Sequence, residues 1–292
     1  MNIIEIDNTE NFNLADIFDC GQCFRFNQIN QVTHDESEKS GEFEGVAFGK
    51  YLRAVQKDDK IHFETTVDDY NNIWRSFFDI DRDYKKIYET LRQDDILKKA
   101  SDFCPGIRIL RQDPFECLIS FIFSQNNNIP RIKKIIERLC ENFGEAITLT
   151  NNRICYSFPS AERIAGLTLE DLDVVKSGFR AKYILDAAKK INAGEINLAS
   201  VYDMTLQEGA EYLKRIRGVG DKIAACVLLF AYNKLDAFPV DVWIKKVLAK
   251  YYPQYSIDKA DKTDNDFRKL FGEYAGIANS YLFYYERENN KK

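Results

Sequence analysis

Over residues 1–70 apolar and polar positions alternate in short runs: Ile3-Ile4-Glu5-Ile6, Cys23-Phe24-Arg25-Phe26, Phe43 to Phe48, Tyr51 to Val55, and Ile61-His62-Phe63-Glu64. A period of two is that of a strand with one buried face, so these runs predict an antiparallel sheet. Phe48-Gly49-Lys50-Tyr51 reads as a hairpin turn, and Thr33 to Gly41 as a polar loop without an apolar anchor. From residue 71 the period lengthens to that of a helix. Trp74, Phe77 and Phe78 share a face, Asp81 is placed to cap the next segment, and Lys85 to Leu97 repeats at helical spacing. After the break at Pro105-Gly106, Asp113-Pro114 puts a cap residue before a proline at the first helical position. Phe115 to Phe123 is apolar nearly all round, which predicts a central buried helix. It ends in Ser124-Gln125-Asn126-Asn127-Asn128, and Pro130 starts an amphipathic helix with Arg131, Lys133 and Lys134 at its front.

Short helices open at Pro159-Ser160 and at Thr168, and the loop from Ser177 feeds a helix from Ala181 to Asn192. Leu213 to Asp241 reads as a short helix, a glycine hairpin, an apolar helix, a loop and a new helix start. That last helix runs from Val240 to Tyr252 with Ile244, Val247, Leu248 and Tyr251 inward, and a final helix spans Gly272 to Glu286. Strands first and helices after predict an α+β fold: an N-terminal β-sheet domain with following helices over 1–110, then a mostly helical body over 111–292.

The 292 residues are 45% hydrophobic and 30% charged, which suits a water-soluble globular chain. No apolar run approaches the roughly 18 residues of a membrane span, and the first ten residues lack the blocks of a signal peptide. Seven cysteines, an odd number spread along the chain, read as reduced thiols in a cytoplasm. Cys20 and Cys23 form a C-x-x-C pair without a second pair, and His34 and His62 are the only histidines. Neither a zinc site nor histidine-based chemistry has enough material. The net charge of −5 is uneven: residues 1–70 hold 15 acidic and 6 basic side chains, so the other 222 residues carry a balance of +4. Any surface for a polyanion belongs to the later part.

The chemistry concentrates in Arg217-Gly218-Val219-Gly220-Asp221-Lys222 and Phe238-Pro239-Val240-Asp241. Glycines one residue apart permit a tight turn and leave bare N–H groups at a helix start, which suits a phosphate. Lys222 lies in the first turn of the apolar helix. Schiff-base chemistry needs a neutral amine, and the positive end of a helix dipole works in that direction. Asp241, nineteen residues on, sits at another helix start, where a carboxylate stays ionised and can face a developing cation. The plain structural alternatives are a solvated surface lysine and a simple N-cap. The asparagine run likewise reads as a capped inter-helix loop, Phe179-Arg180 as a buried staple beside a surface arginine, and the last helix as packing.

The ordered combination of hairpin, lysine and Pro-Val-Asp resembles the helix-hairpin-helix/Gly-Pro-Asp superfamily of DNA glycosylases, and further segments resemble its 8-oxoguanine DNA glycosylase/AP lyase branch. The resemblance implies Lys222 and Asp241 as catalytic residues and Gly218, Val219 and Gly220 as the phosphate-binding hairpin. Asp19-Cys20-Gly21-Gln22-Cys23-Phe24-Arg25 is similar to the segment whose glycine carbonyl accepts N7–H of oxidised guanine; guanine itself has an acceptor lone pair there. Gly21 takes that role. Asn126 and Arg131 match the residues that pair with the orphaned cytosine, as planar donors would. Phe179 matches the wedge, where relatives often carry tyrosine, and Arg180 a second cytosine donor. Asn279 stands where the branch has a glutamine for the Watson–Crick edge, and Phe283 and Cys226 would stack on the two faces of the base. Trp243 replaces a histidine of eukaryotic-type members, and the C-terminal segment has no cysteine cluster like that of the endonuclease III branch.

The implied activity is excision of 8-oxoguanine from duplex DNA followed by β-elimination at the abasic site through a lysine Schiff base. The expected partner is double-stranded DNA containing oxidised guanine, with no membrane and no cofactor or catalytic metal. The hairpin carbonyls leave room for a structural cation. A cytoplasmic monomer is expected, nucleoid-associated in a bacterium or nuclear in a eukaryote. Two rivals stand beside it: a monofunctional alkylated-base glycosylase of the same fold, which would lack the lysine, and a non-catalytic helix-hairpin-helix DNA-binding protein.

Overall fold

The computed structural model describes residues 2–7, 11–30, 41–57, 59–255 and 270–290. Five strands, β1 (Asn2–Asp7), β2 (Phe26–Asn30), β3 (Gly41–Ala47), β4 (Lys50–Lys57) and β5 (Lys60–Thr65), form one antiparallel sheet in the order β1-β5-β4-β3-β2. The expected hairpin joins β3 to β4. Phe48 and Gly49 both have positive φ, 52° and 71°, the geometry that matches strand twist in a two-residue turn. Phe43 faces Ala54 and Ala54 faces Phe63, so the alternation lays one apolar row across three strands. Phe26 stacks on Phe18 at 4.4 Å between ring centroids, and Phe63 on Phe78 at 4.9 Å. The polar loop expected at 33–41 lies outside the described residues up to Gly41, which begins β3.

Some local expectations fail. Cys23 to Arg25 is not strand; β2 begins only at Phe26, because Cys23 is buried in the core under the sheet and Phe24 in the core of the helical body. Alternation here marks a seam between two cores. A short helix, α1 (Leu14–Asp19), precedes it, capped by Asn13 Oδ1 accepting from Asp16 N at 3.0 Å. Past the sheet, a helical run over 67–77 carries the Trp74 and Phe77 face. Lys85 to Leu97 is split between α2 (Tyr84–Leu91) and α3 (Asp95–Phe103), capped by Asp83 and Asp94. Asp81 caps neither and pairs with Arg75 at 2.6 Å.

The helical body is built on α4 (Pro114–Phe123), capped by Asp113 and buried at every residue from Glu116 to Phe123. Against it pack α5 (Ile129–Phe143), α6 (Ala181–Asn192) and, past α7 (Leu206–Leu213), α8 (Asp221–Phe230), on which α7 lies in turn; α9 (Val242–Tyr251) packs on α10 (Ala275–Asn289). A two-stranded hairpin, 146–148 with 154–156, was not anticipated. The packing does not divide at residue 110. Ile87, Leu97 and Ala100 join the core of the helical body, while Leu110 joins the core of the sheet. Among the described residues no helix is long and apolar enough to cross a membrane.

Gln22 ties the two parts together. It is fully buried, its Nε2 donates to Ile17 O at 3.0 Å and Arg108 O at 2.8 Å, and its Oε1 accepts from Leu110 N at 2.9 Å. Gln112 Nε2 donates to Gln22 O at 2.7 Å. Such a fully partnered buried amide fixes one geometry for the turn on either side of it.

Glu116 is the cost in the central helix. Burial pushes its carboxyl from 4.5 up to about 7, only partly countered by Arg25. A carboxyl raised on folding binds more protons in the native state, so stability falls as pH rises through that window. Glu116→Gln is therefore expected to gain in melting temperature over wild type between about pH 5 and about pH 8. A constant difference at both pH values would refute the assignment.

Candidate active site

A cavity of about 950 Å³ opens between the turn after α1 and the helical body. Its walls come from the turn at 19–24, from α4 and the loop after it, from α8, from 239–243 and from α10. Lys222, Asp241, Gly21, Cys226, Asn279, Phe283 and Asn126 all line it. Arg131, Phe179, Arg180 and the hairpin glycines do not.

Lys222 is held rather than solvated. Its Nζ donates to Ser124 Oγ at 3.0 Å and lies 5.2 Å over the Phe121 ring. Ser124 Oγ in turn donates to Phe121 O at 2.7 Å, which leaves its lone pairs for the amine. Asp241 is indeed an N-cap, accepting from Trp243 N and Ile244 N, both at 2.9 Å. Yet it is also a cavity wall. Burial raises its carboxyl above the ordinary aspartate value, against the pull of those N–H groups and of Lys222. Cys226, one turn beyond Lys222, is buried and its thiol is pushed up to about 11, chiefly by burial. A primary amine, a carboxyl group and a thiol thus line one cavity.

The hairpin before α8 has the expected form. Gly218 has φ +86°, and a Cβ there would lie 2.6 Å from the Tyr183 ring. Gly220 is the N-cap of α8 and offers no side-chain cap, so the first-turn N–H groups of that helix are left for an anion.

In the loop after α4 the three asparagines divide their work. Asn127 Nδ2 donates to Phe123 O at 3.0 Å, and Asn128 Oδ1 accepts from Arg131 N at 3.0 Å as the cap of α5. Asn126 has a left-handed backbone, φ +46°, and its exposed side chain is uncommitted among the described residues. The capped-loop alternative therefore accounts for two of the three. Phe179 and Arg180 reverse the staple alternative: the phenylalanine is 47% exposed and the arginine 3%. Arg180 Nε and Nη2 donate to Gln125 O, Nη2 to Asn126 O at 3.0 Å and Nη1 to Ser177 O at 3.2 Å. With most of its five N–H groups engaged, Arg180 braces the Asn126 loop, a role its sequence position did not reveal. Burial first, and the nearby positive charge of exposed Arg131 second, hold Arg180 below the usual guanidinium range.

Gly21, on the same cavity wall, has φ +82°, and a Cβ there would lie 3.1 Å from Phe283 Cε1. Only glycine permits this approach. Asn279 is buried, with Nδ2 donating to Pro239 O at 2.9 Å, so part of its amide is already committed. Trp243 also lines the cavity, under the Lys246 ammonium at 4.3 Å. Ser124, Gln22 and Arg287 shape the site without having stood out in the sequence; serine at a helix end and glutamine in a turn are too common to signal it.

The chain was then compared with known proteins. Residues 4–118 match the 8-oxoguanine DNA glycosylase N-terminal domain, and residues 119–273 match the HhH-GPD superfamily base excision DNA repair protein. An N-glycosylase/DNA lyase of Saccharomyces cerevisiae is 32% identical over 285 residues, covering 90% of this chain and 73% of the yeast protein. The 8-oxoguanine glycosylase/lyase of Clostridium acetobutylicum, solved with duplex DNA containing cytosine opposite 8-oxoG, superposes with a TM-score of 0.87 at 40% identity. That match covers 99% of both chains. MBOgg1, solved with a low-affinity DNA ligand, gives 0.90 at 39% identity over 99% of this chain and 97% of its own. An amine-bearing cavity behind a glycine hairpin, on this fold and at these identities, leaves one conclusion: the chain belongs to the HhH-GPD superfamily of base excision DNA repair proteins, in its 8-oxoguanine DNA glycosylase branch.

Proposed function

We propose that the protein excises 8-oxoguanine from duplex DNA and then cleaves the strand at the resulting abasic site. One observation carries this: Lys222 and Asp241 lie on the wall of the same cavity as Gly21, which packs against Phe283. The extruded nucleotide places its base against Gly21 and Phe283 and its sugar between amine and carboxylate. Unstacking costs on the order of a few kcal/mol, offset by the exposed Phe179 wedge and by Asn126 and Arg131 on the orphaned cytosine. Arg180 contributes mainly by holding that loop.

The C1′–N9 bond breaks with its electron pair leaving on the base. The positive charge that develops on the sugar faces the Asp241 carboxylate. Lys222 Nζ bonds to C1′; one of its protons passes to O4′ as the ring opens, giving a protonated Schiff base, and the departed base takes a proton from water. Loss of a C2′ proton then expels the 3′ phosphate. Amine and carboxylate supply this chemistry without a cofactor; the hairpin carbonyls are suited to a structural cation bridging to a phosphate. Duplex DNA is the partner of a protein that acts as a monomer where its DNA lies, in cytoplasm, nucleoid or nucleus.

The test is a cleavage panel: oxidised guanine opposite each of the four bases, with wild type and Lys222→Gln. Base release plus strand cleavage by wild type supports the proposal. Base release with an intact abasic strand would favour the monofunctional rival, and unaltered DNA the non-catalytic one.

A further inference from the structure

We propose that Arg287 is a positioning residue for base recognition, clamping the turn that carries Gly21 onto the helix that carries Phe283. The inference rests on the glycosylase reading above.

Phe283 and Arg287 are four residues apart on α10 and so share a face. Both line the cavity, but Arg287 is only 8% exposed. A guanidinium buried beside an apolar pocket is costly unless it is paired and hydrogen-bonded. Here it is used. Nη2 donates to Asp19 O at 2.5 Å, Nε donates to Glu288 Oε1 at 2.8 Å, and the group lies 5.4 Å from the Phe283 ring centroid and 5.0 Å from that of Tyr284. Asp19 is the last residue of α1, where carbonyls lack partners within the helix. Arg287 supplies one from another helix, 268 residues along the chain.

Gly21 follows two residues after that carbonyl. On its other side Gln22 is fastened to Arg108 and Leu110. The Gly21 backbone is therefore held from two directions, and of these two anchors only Arg287 belongs to the helix bearing Phe283. The distance between the Gly21 carbonyl and the ring stacked on the base depends on that bond. The amine and the sugar site do not, since Lys222 is positioned by Ser124 and Asp241 by α9. Arg287 Nη1 is buried and has no partner among the described residues, consistent with a side chain oriented by its other nitrogens.

The experiment compares two single-turnover rates in wild type, Arg287→Met and Arg287→Lys. One is base release from an oxidised-guanine duplex; the other is cleavage of a duplex with a preformed abasic site. Both scale with the folded fraction, so their ratio is insensitive to lost protein. Arg287→Met is expected to lower the ratio of base release to abasic cleavage by about tenfold or more, as misplacing a recognition group by a fraction of an ångström does. Arg287→Lys, which keeps a donor toward Asp19 O, is expected to fall between. An unchanged ratio in Arg287→Met would overturn the clamp alone. A wild-type protein that cleaves abasic sites but releases no oxidised guanine would overturn the functional reading and the clamp with it.

Discussion

Lys222→Gln is expected to abolish the covalent enzyme–DNA adduct that borohydride traps with wild-type protein, and to slow abasic-strand cleavage by at least ~10³-fold. Loss of a covalent nucleophile has effects of that size or larger. An amide carbon chain of similar length fills the same space beside Phe121 but has no nucleophilic lone pair on nitrogen. The fold should hardly notice: the variant gives up the hydrogen bond to Ser124 and the ammonium's place over the Phe121 ring, each worth about 1 kcal/mol. A denaturing gel of the reduced mixture reads the adduct, and a melting curve reads the fold. An adduct of undiminished yield in the variant would place the attacking group elsewhere.

Asp241→Asn should separate activity from stability in the direction opposite to most active-site changes near a helix cap. The asparagine oxygen can keep both N-cap bonds, to Trp243 N and Ile244 N. The native carboxyl is raised above its unfolded value by burial, so the folded state binds more protons and the ionised form costs stability as pH rises through that window. Removing the charge removes the cost. At neutral pH the variant should melt at or above the wild-type temperature while excision falls by about 10²–10³-fold, the loss expected when a group facing transition-state charge is neutralised. In wild type, excision should decline on the acid side at a pH higher than an ordinary aspartate would set, and this limb should be missing in the variant. A large loss of melting temperature would show that the carboxylate serves chiefly as structure.

Local signals were legible wherever one element decides the outcome. Alternation at 43–48 and 51–55, the positive-φ pair at the hairpin, Asp113 before Pro114 and the glycines around Val219 all act within a few residues of themselves. The helix starts that carry Lys222 and Asp241 belong here too, because their own neighbours define them. What stayed hidden was long-range. Which of Phe179 and Arg180 faces water is decided by the carbonyls of Gln125 and Asn126, 55 and 54 residues earlier. The run Cys23 to Phe26 alternates because it threads between two cores, not because it pairs in a sheet. Gln22 and Arg287 find their partners 86 and 268 residues away, beyond the reach of any periodicity. Helix α1 is six residues long, too short for a period to emerge.

The burial of the thiols has a further consequence. All seven cysteines are free, six are buried, and each is held above the usual thiol range, with burial the leading cause. Peroxide attacks thiolates, not thiols. Slow oxidation of these cysteines by peroxide is therefore the expected outcome, which a count of free thiols after exposure would check.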